Sequence, residues 1–170
     1  MFYGLTWLGT IHTAISLVAV AAGLIALWRD HRITLDNGIG KVYVITTVLT
    51  CLTGFGIFRH GGFGAPHALG VMTLLVLGVA AVAMKTPLFG RASKYVGTVG
   101  YSVTFFFHLI PGTTETFTRV PAGAPLFSSP EDPNLQKVVG VLFVLLVVGS
   151  ILQIRRLRAG SGPVGLARPA

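Results

Sequence analysis

Residues 5–28 read LTWLGTIHTAISLVAVAAGLIALW, twenty-four positions without an Asp, Glu, Lys or Arg. A helix rises 1.5 Å per residue, so about 20 residues cross the hydrocarbon core of a bilayer, and this run is long enough to do so. Uncharged apolar runs recur at 42–58, 67–84, 95–110 and 138–154. The expected fold is all-α, a polytopic membrane bundle of five transmembrane helices over those ranges. The run at 95–110 is the shortest, and a re-entrant segment is its rival.

Composition agrees. The 170 residues are 52% hydrophobic and 11% charged, with a mean hydropathy of +0.76. A soluble domain carries about 25% charged residues to cover its surface, so the deficit points to lipid as solvent. Lys and Arg are unevenly placed. Ten lie after the first run (Arg29, Arg32, Lys41), after the third (Lys85, Arg91, Lys94) and in the tail (Arg155, Arg156, Arg158, Arg168). Arg59, Arg119 and Lys137 make up the other side. The positive-inside rule then places the N-terminus outside and the C-terminus inside, in a membrane expected to be the bacterial cytoplasmic (inner) membrane. The net charge of +8 is thereby a topology signal rather than a nucleic-acid signal, and no nucleic-acid partner is expected. The first run lacks a basic leader segment and is expected to be a retained helix rather than a signal peptide.

One membrane domain, 1–154, is expected, followed by a flexible basic cytoplasmic tail at 155–170. The connection at 111–137 is a long Pro-rich extracytoplasmic loop, suited to a protein partner or to function of its own. Within it Glu115 and Arg119 stand at i,i+4, the spacing of an ion pair on one helical turn. The single Cys51 rules out an internal disulfide and a cysteine zinc site. No Gly-x-Ser-x-Gly elbow, HExxH motif or phosphate loop is present, which leaves hydrolytic and nucleophilic catalysis without support.

Polar side chains inside a bilayer face the bundle interior, so helical spacing predicts how each span is turned. The second run lines up Tyr43, Thr46, Thr50, Thr53 and His60; the fourth lines up Gly97, Tyr101, Thr104 and His108. The first gives His12, Ser16, Ala19 and Gly23, and the third His67, Val71, Leu74 and Gly78. Hydroxyl and glycine stripes also serve plain helix packing. The histidines say more. Under the expected topology His12, His60, His67 and His108 occupy the outer half of the membrane on four helices, whereas His31 lies in the inner loop and is merely solvated.

Several chemistries use such a set. Two imidazoles on facing helices ligate haem b, with Arg59 drawing a propionate toward the hairpin. Three imidazoles with Glu115 bind a transition metal. One or two, helped by Tyr101, hydrogen-bond a quinone or relay protons.

At NGIGKVYVITTVLTCLTG (37–54) and SKYVGTVGYSVTFFFHLI (93–110) the chain resembles uncharacterised bacterial multi-helix integral membrane proteins with a first-span histidine and a Gly-x-x-Tyr step. His12, Gly40-Lys41-Val42-Tyr43 and Tyr101 carry the likeness. It implies a helical bundle and no established activity. A weaker similarity is to bis-histidine membrane cytochromes of the b561 type, which ligate haem near both membrane faces; here the histidines gather toward one.

The leading expectation is a small membrane protein that binds a redox cofactor, metal or quinone at a histidine cluster near the extracytoplasmic face. The alternatives are a proton or small-solute channel or transporter, lined by the threonine stripe, and a non-catalytic accessory subunit of a membrane complex.

Overall fold

Thr6 opens the first helix by accepting a hydrogen bond from the Gly9 amide on its hydroxyl, 3.1 Å away. In the computed structural model, which describes residues 6–58 and 62–160, α1 (Trp7–Asp30) follows that cap and ends at His31, in left-handed backbone conformation. Asn37 then caps α2 (Gly38–Gly54) through a 2.8 Å bond from the Gly40 amide. Pro66, in the first turn of α3 (Ala65–Lys85), sits where a missing N–H does no harm. A short 3-10 turn at Gly90–Ala92 leads into α4 (Ser93–Phe117), and Asp132 caps α5 (Pro133–Ala159).

The described regular elements are all helices, as expected, and α1, α3 and α5 are each long and apolar enough to cross a membrane. α2 is a shorter apolar helix. Arg59 and His60 lie outside the described residues.

Boundaries differ from the sequence expectation in three places. The second helix spans Gly38–Gly54 rather than 42–58, because the Asn37 cap starts it a turn early. The fourth helix does not stop at Ile110 but runs through Pro111 to Phe117. Proline removes the amide that would bond the Phe107 carbonyl, and in the next turn Thr113 and Thr114 add hydroxyl bonds to the Leu109 and Ile110 carbonyls at 2.8 Å. The connection expected at 111–137 therefore shrinks to the stretch between Phe117 and Pro133. The fifth helix continues to Ala159, so the first residues assigned to a flexible tail extend α5, and 161–170 lie outside the described residues.

α1 packs along α2, and α3 along α4; contacts of α2 with α3 and of α1 with α4 close the bundle, while α5 leans on α4. α4 is thus the central helix. That position explains why it is not among the helices apolar enough to face lipid: Thr98, Tyr101, Ser102, Thr104 and His108 all point inward. Leu17, Ile45, Leu75, Val144 and Leu145 point outward, the side a bilayer would solvate. The core gathers Tyr43, Tyr101, Phe105, Ile33, Leu77 and the small faces of α1 and α3. Gly23 makes one of these approaches: a Cβ there would stand 2.5 Å from the Phe105 ring.

The predicted faces of α1 and α4 point inward as expected, Ser16 and His12 being half-buried. The α3 face is rotated. Val71 and Gly78 look outward, and Thr73, Leu77, Ala80 and Ala83 form the buried stripe. A span with one polar residue at its tip carries too little contrast for spacing to fix its rotation.

Candidate functional site

The polar interior is built on α2. Tyr43, Thr47 and Thr50, at i, i+4 and i+7, are buried, whereas Thr46 and Thr53 are half-buried. The Tyr43 and Thr104 hydroxyls are 2.8 Å apart, and Thr104 donates to the Tyr101 carbonyl at 2.8 Å. A hydroxyl has one proton to give, so Tyr43 is the donor to Thr104. One turn further along, His108 Nε2 meets the Thr47 hydroxyl at 3.0 Å, with the Tyr43 ring edge-on to the imidazole. Thr47 was missed by the sequence stripe; its i+4 spacing from Tyr43 is the signal that finds it.

His12 reaches α2 from the other side. Its Nδ1 lies 3.1 Å from the Thr53 hydroxyl, and Gly54 leaves room for the ring against the α2 backbone. Thr53 makes a shorter bond, 2.8 Å, to its own Leu49 carbonyl. Its proton goes there, so His12 Nδ1–H donates to Thr53 and a neutral ring keeps Nε2 as an acceptor. Glu115 pairs with Arg119 at i,i+4, as the spacing predicts. Glu115 is exposed and Arg119 half-buried, and Arg119→Ala is expected to change thermal stability by less than about 0.5 kcal/mol; a larger loss in a melting experiment would assign the pair a structural role.

His67 is differently employed. It is buried at the start of α3, where Nδ1 accepts from the Gly64 amide at 3.2 Å, and it lies between the Phe58 and Phe63 rings with centroids 4.9 and 5.2 Å away. Its job is to close the first turn of α3. Tyr101 precedes His108 by seven residues, about 10 Å, on α4 and is fully buried in the core. Its hydroxyl has no partner among the described residues.

The expected set is therefore divided. His12 and His108 each bond a hydroxyl of α2, Thr53 and Thr47 respectively, and Glu115 is paired with Arg119. His67 and Tyr101 serve elsewhere, and His60 and Arg59 fall outside the described residues. Among the described residues, no three of the His, Cys, Asp and Glu side chains gather so as to hold a metal ion. Two recesses of the surface lie along α3 and α4, and neither is lined by His12 or His108; the histidine site is a hydrogen-bond network in which the His12 ring is half-buried.

Polar order continues at the opposite end. Ser102 donates to Gln153 Oε1 at 2.9 Å, and Gln153 Nε2 donates to the His31 carbonyl at 2.9 Å. One glutamine thereby joins α4, α5 and the loop after α1. No family model, curated protein or solved structure matches this chain.

Proposed function

We propose an integral membrane protein of five spans, N-terminus outside and C-terminus inside a cytoplasmic membrane, that binds a quinone-class ligand in its reduced, hydroxyl-bearing form at His12. The observation that carries this reading is the His12–Thr53 bond. It commits Nδ1–H to a fixed acceptor and leaves Nε2, on a half-buried ring, to receive a hydroxyl proton arriving from the lipid side. Five spans follow from counting α2 and α4 with the three membrane-length helices, and the orientation follows from the Lys/Arg asymmetry.

Detergent-purified full-length protein titrated with a short-chain benzoquinol tests this by thermal shift and calorimetry. The quinol is expected to stabilise the protein and its oxidised quinone to bind about tenfold more weakly, because only the quinol has a hydroxyl to donate. His12→Leu should remove the quinol preference, while Arg119→Ala should leave it intact. Equal binding of quinol and quinone, or an unchanged His12→Leu variant, defeats the proposal. A Soret band or stoichiometric metal in the purified protein would replace it with a metal-cofactor reading.

A further inference from the structure

The end of the bundle opposite the histidines carries a recess of about 580 Å³ between the C-terminus of α3, the 3-10 turn and the first turn of α4. Lys85, Arg91 and Lys94 line it, and none of its lining residues is acidic. Lys94 extends over the Tyr95 ring, 5.1 Å from its centroid, and reaches the Leu157 carbonyl at 3.5 Å. α4 starts from Ala92 without a side-chain cap, the Ser93 amide bonding the Gly90 carbonyl of the 3-10 turn, and Ser93, Lys94 and Tyr95 of its first turn border the recess. Three cations and the positive end of a 25-residue helix make this a place for an anion.

A second recess of about 360 Å³ lies nearer mid-bundle, between the same two helices, and Leu75, Val79, Val99 and Val103 are among its apolar lining. The two lie on one stripe. Val79 and Ala83 are four apart on α3, as are Tyr95, Val99 and Val103 on α4. From Lys85 to Leu75 is ten residues, or about 15 Å of helix, which is half the ~30 Å hydrocarbon core and the depth of one leaflet. Leu88 and Phe89, 70% and 41% exposed beside the cations, put an apolar lip on the polar end.

We propose that this α3/α4 seam is a binding site for an anionic phospholipid, with the phosphate-bearing headgroup among Lys85, Arg91 and the α4 N-terminus and one acyl chain along the valine groove. The inference rests on α3 crossing the membrane and is independent of the quinol reading, since no residue is shared. A free phosphate would satisfy the polar recess alone; the apolar recess aligned with it on the same seam is what selects a lipid.

Native mass spectrometry of the full-length protein, released from micelles holding equimolar phosphatidylglycerol and phosphatidylcholine, reads the occupant directly. Phosphatidylglycerol adducts are expected to dominate by at least about tenfold. The Lys85→Gln/Arg91→Gln variant should lose that preference by on the order of 25-fold, as each basic residue near an anionic lipid contributes about fivefold. Val99→Phe, which fills the groove without touching a charge, should also lose the adduct while circular dichroism shows an intact helical bundle. Equal retention of the two lipids overturns the proposal, as does a double variant that keeps the preference. So does displacement of the lipid by millimolar inorganic phosphate with Val99→Phe still binding phosphate, which would identify the free ion as the occupant.

Discussion

Gly40→Ala is expected to be among the most damaging single substitutions in the protein, lowering stability by about 3 kcal/mol or more. Gly40 is in the first turn of α2, where its amide donates to the Asn37 cap. A Cβ built there would fall 1.7 Å from the Thr34 carbonyl oxygen and 2.7 Å from its carbon. Both are backbone atoms, so no rotamer change relieves the overlap. Retreat of the loop is also opposed. Ile33 is fully buried in the core, and Asn37 Nδ2 donates to Asp30 at 2.9 Å. Shifting α2 instead would pull Tyr43 off Thr104. Gly38→Ala is the matched control, because a Cβ at Gly38 meets nothing within 4 Å. That change is expected to stabilise by about 0.5–1 kcal/mol through a better helix former and a stiffer unfolded chain. Melting curves in detergent separate the two: opposite shifts are expected, and a wild-type transition for Gly40→Ala would show that loop 31–37 does not lie against α2.

Gln153→Leu is expected to lower stability by about 1–2 kcal/mol and to loosen α5 first. α5 buries little of itself against the bundle; Leu135 and Gln153 are its buried residues. Removing the amide leaves the His31 carbonyl without its donor, while the Ser102 hydroxyl falls back on the Thr98 carbonyl, 3.3 Å away. The larger part of the loss therefore belongs to His31, whose left-handed backbone that bond helps to hold. Ser102→Ala should accordingly cost less than Gln153→Leu. Leu145→Ala, at a 60% exposed position on the same helix, should leave the melting transition nearly unchanged. Hydrogen exchange localises the effect: faster exchange is expected in α5 and at residues 31–37 before α1 or α3. Uniform exchange across the chain would mean that Gln153 is not the clasp.

These positions mark how far the chain is legible without its fold. The Gly-x-x-Tyr step at Gly40 and Tyr43 is visible as spacing, yet the reason for it is a loop carbonyl on one residue and a hydroxyl from α4 on the other. Gln153 passes unnoticed within an apolar run, since its value lies in partners 51 and 122 residues away. His31, expected to be merely solvated, does keep an exposed side chain, but its backbone closes α1 and receives the glutamine.

Among the histidines the same division holds. Their gathering toward one end of the bundle follows from the alternation of helix direction, which run lengths and turn positions already imply. Which nitrogen meets which hydroxyl does not follow. His67 turns back to its own helix start, and His12 and His108 take Thr53 and Thr47, from opposite sides of α2.

Local sequence suffices for the existence of the helices, the inward turn of α1 and α4, and the Glu115–Arg119 pair, because each depends on a local period of 3.6 residues and on the hydration of nearby groups. That α4 is central, that it continues past Pro111, that α3 is rotated, and which imidazole meets which hydroxyl of α2 are set by packing between helices. Those outcomes depend on how helices far apart in the chain fit side by side, where a one-residue change in facing exchanges one hydrogen-bond partner for another and leaves the hydropathy pattern unchanged.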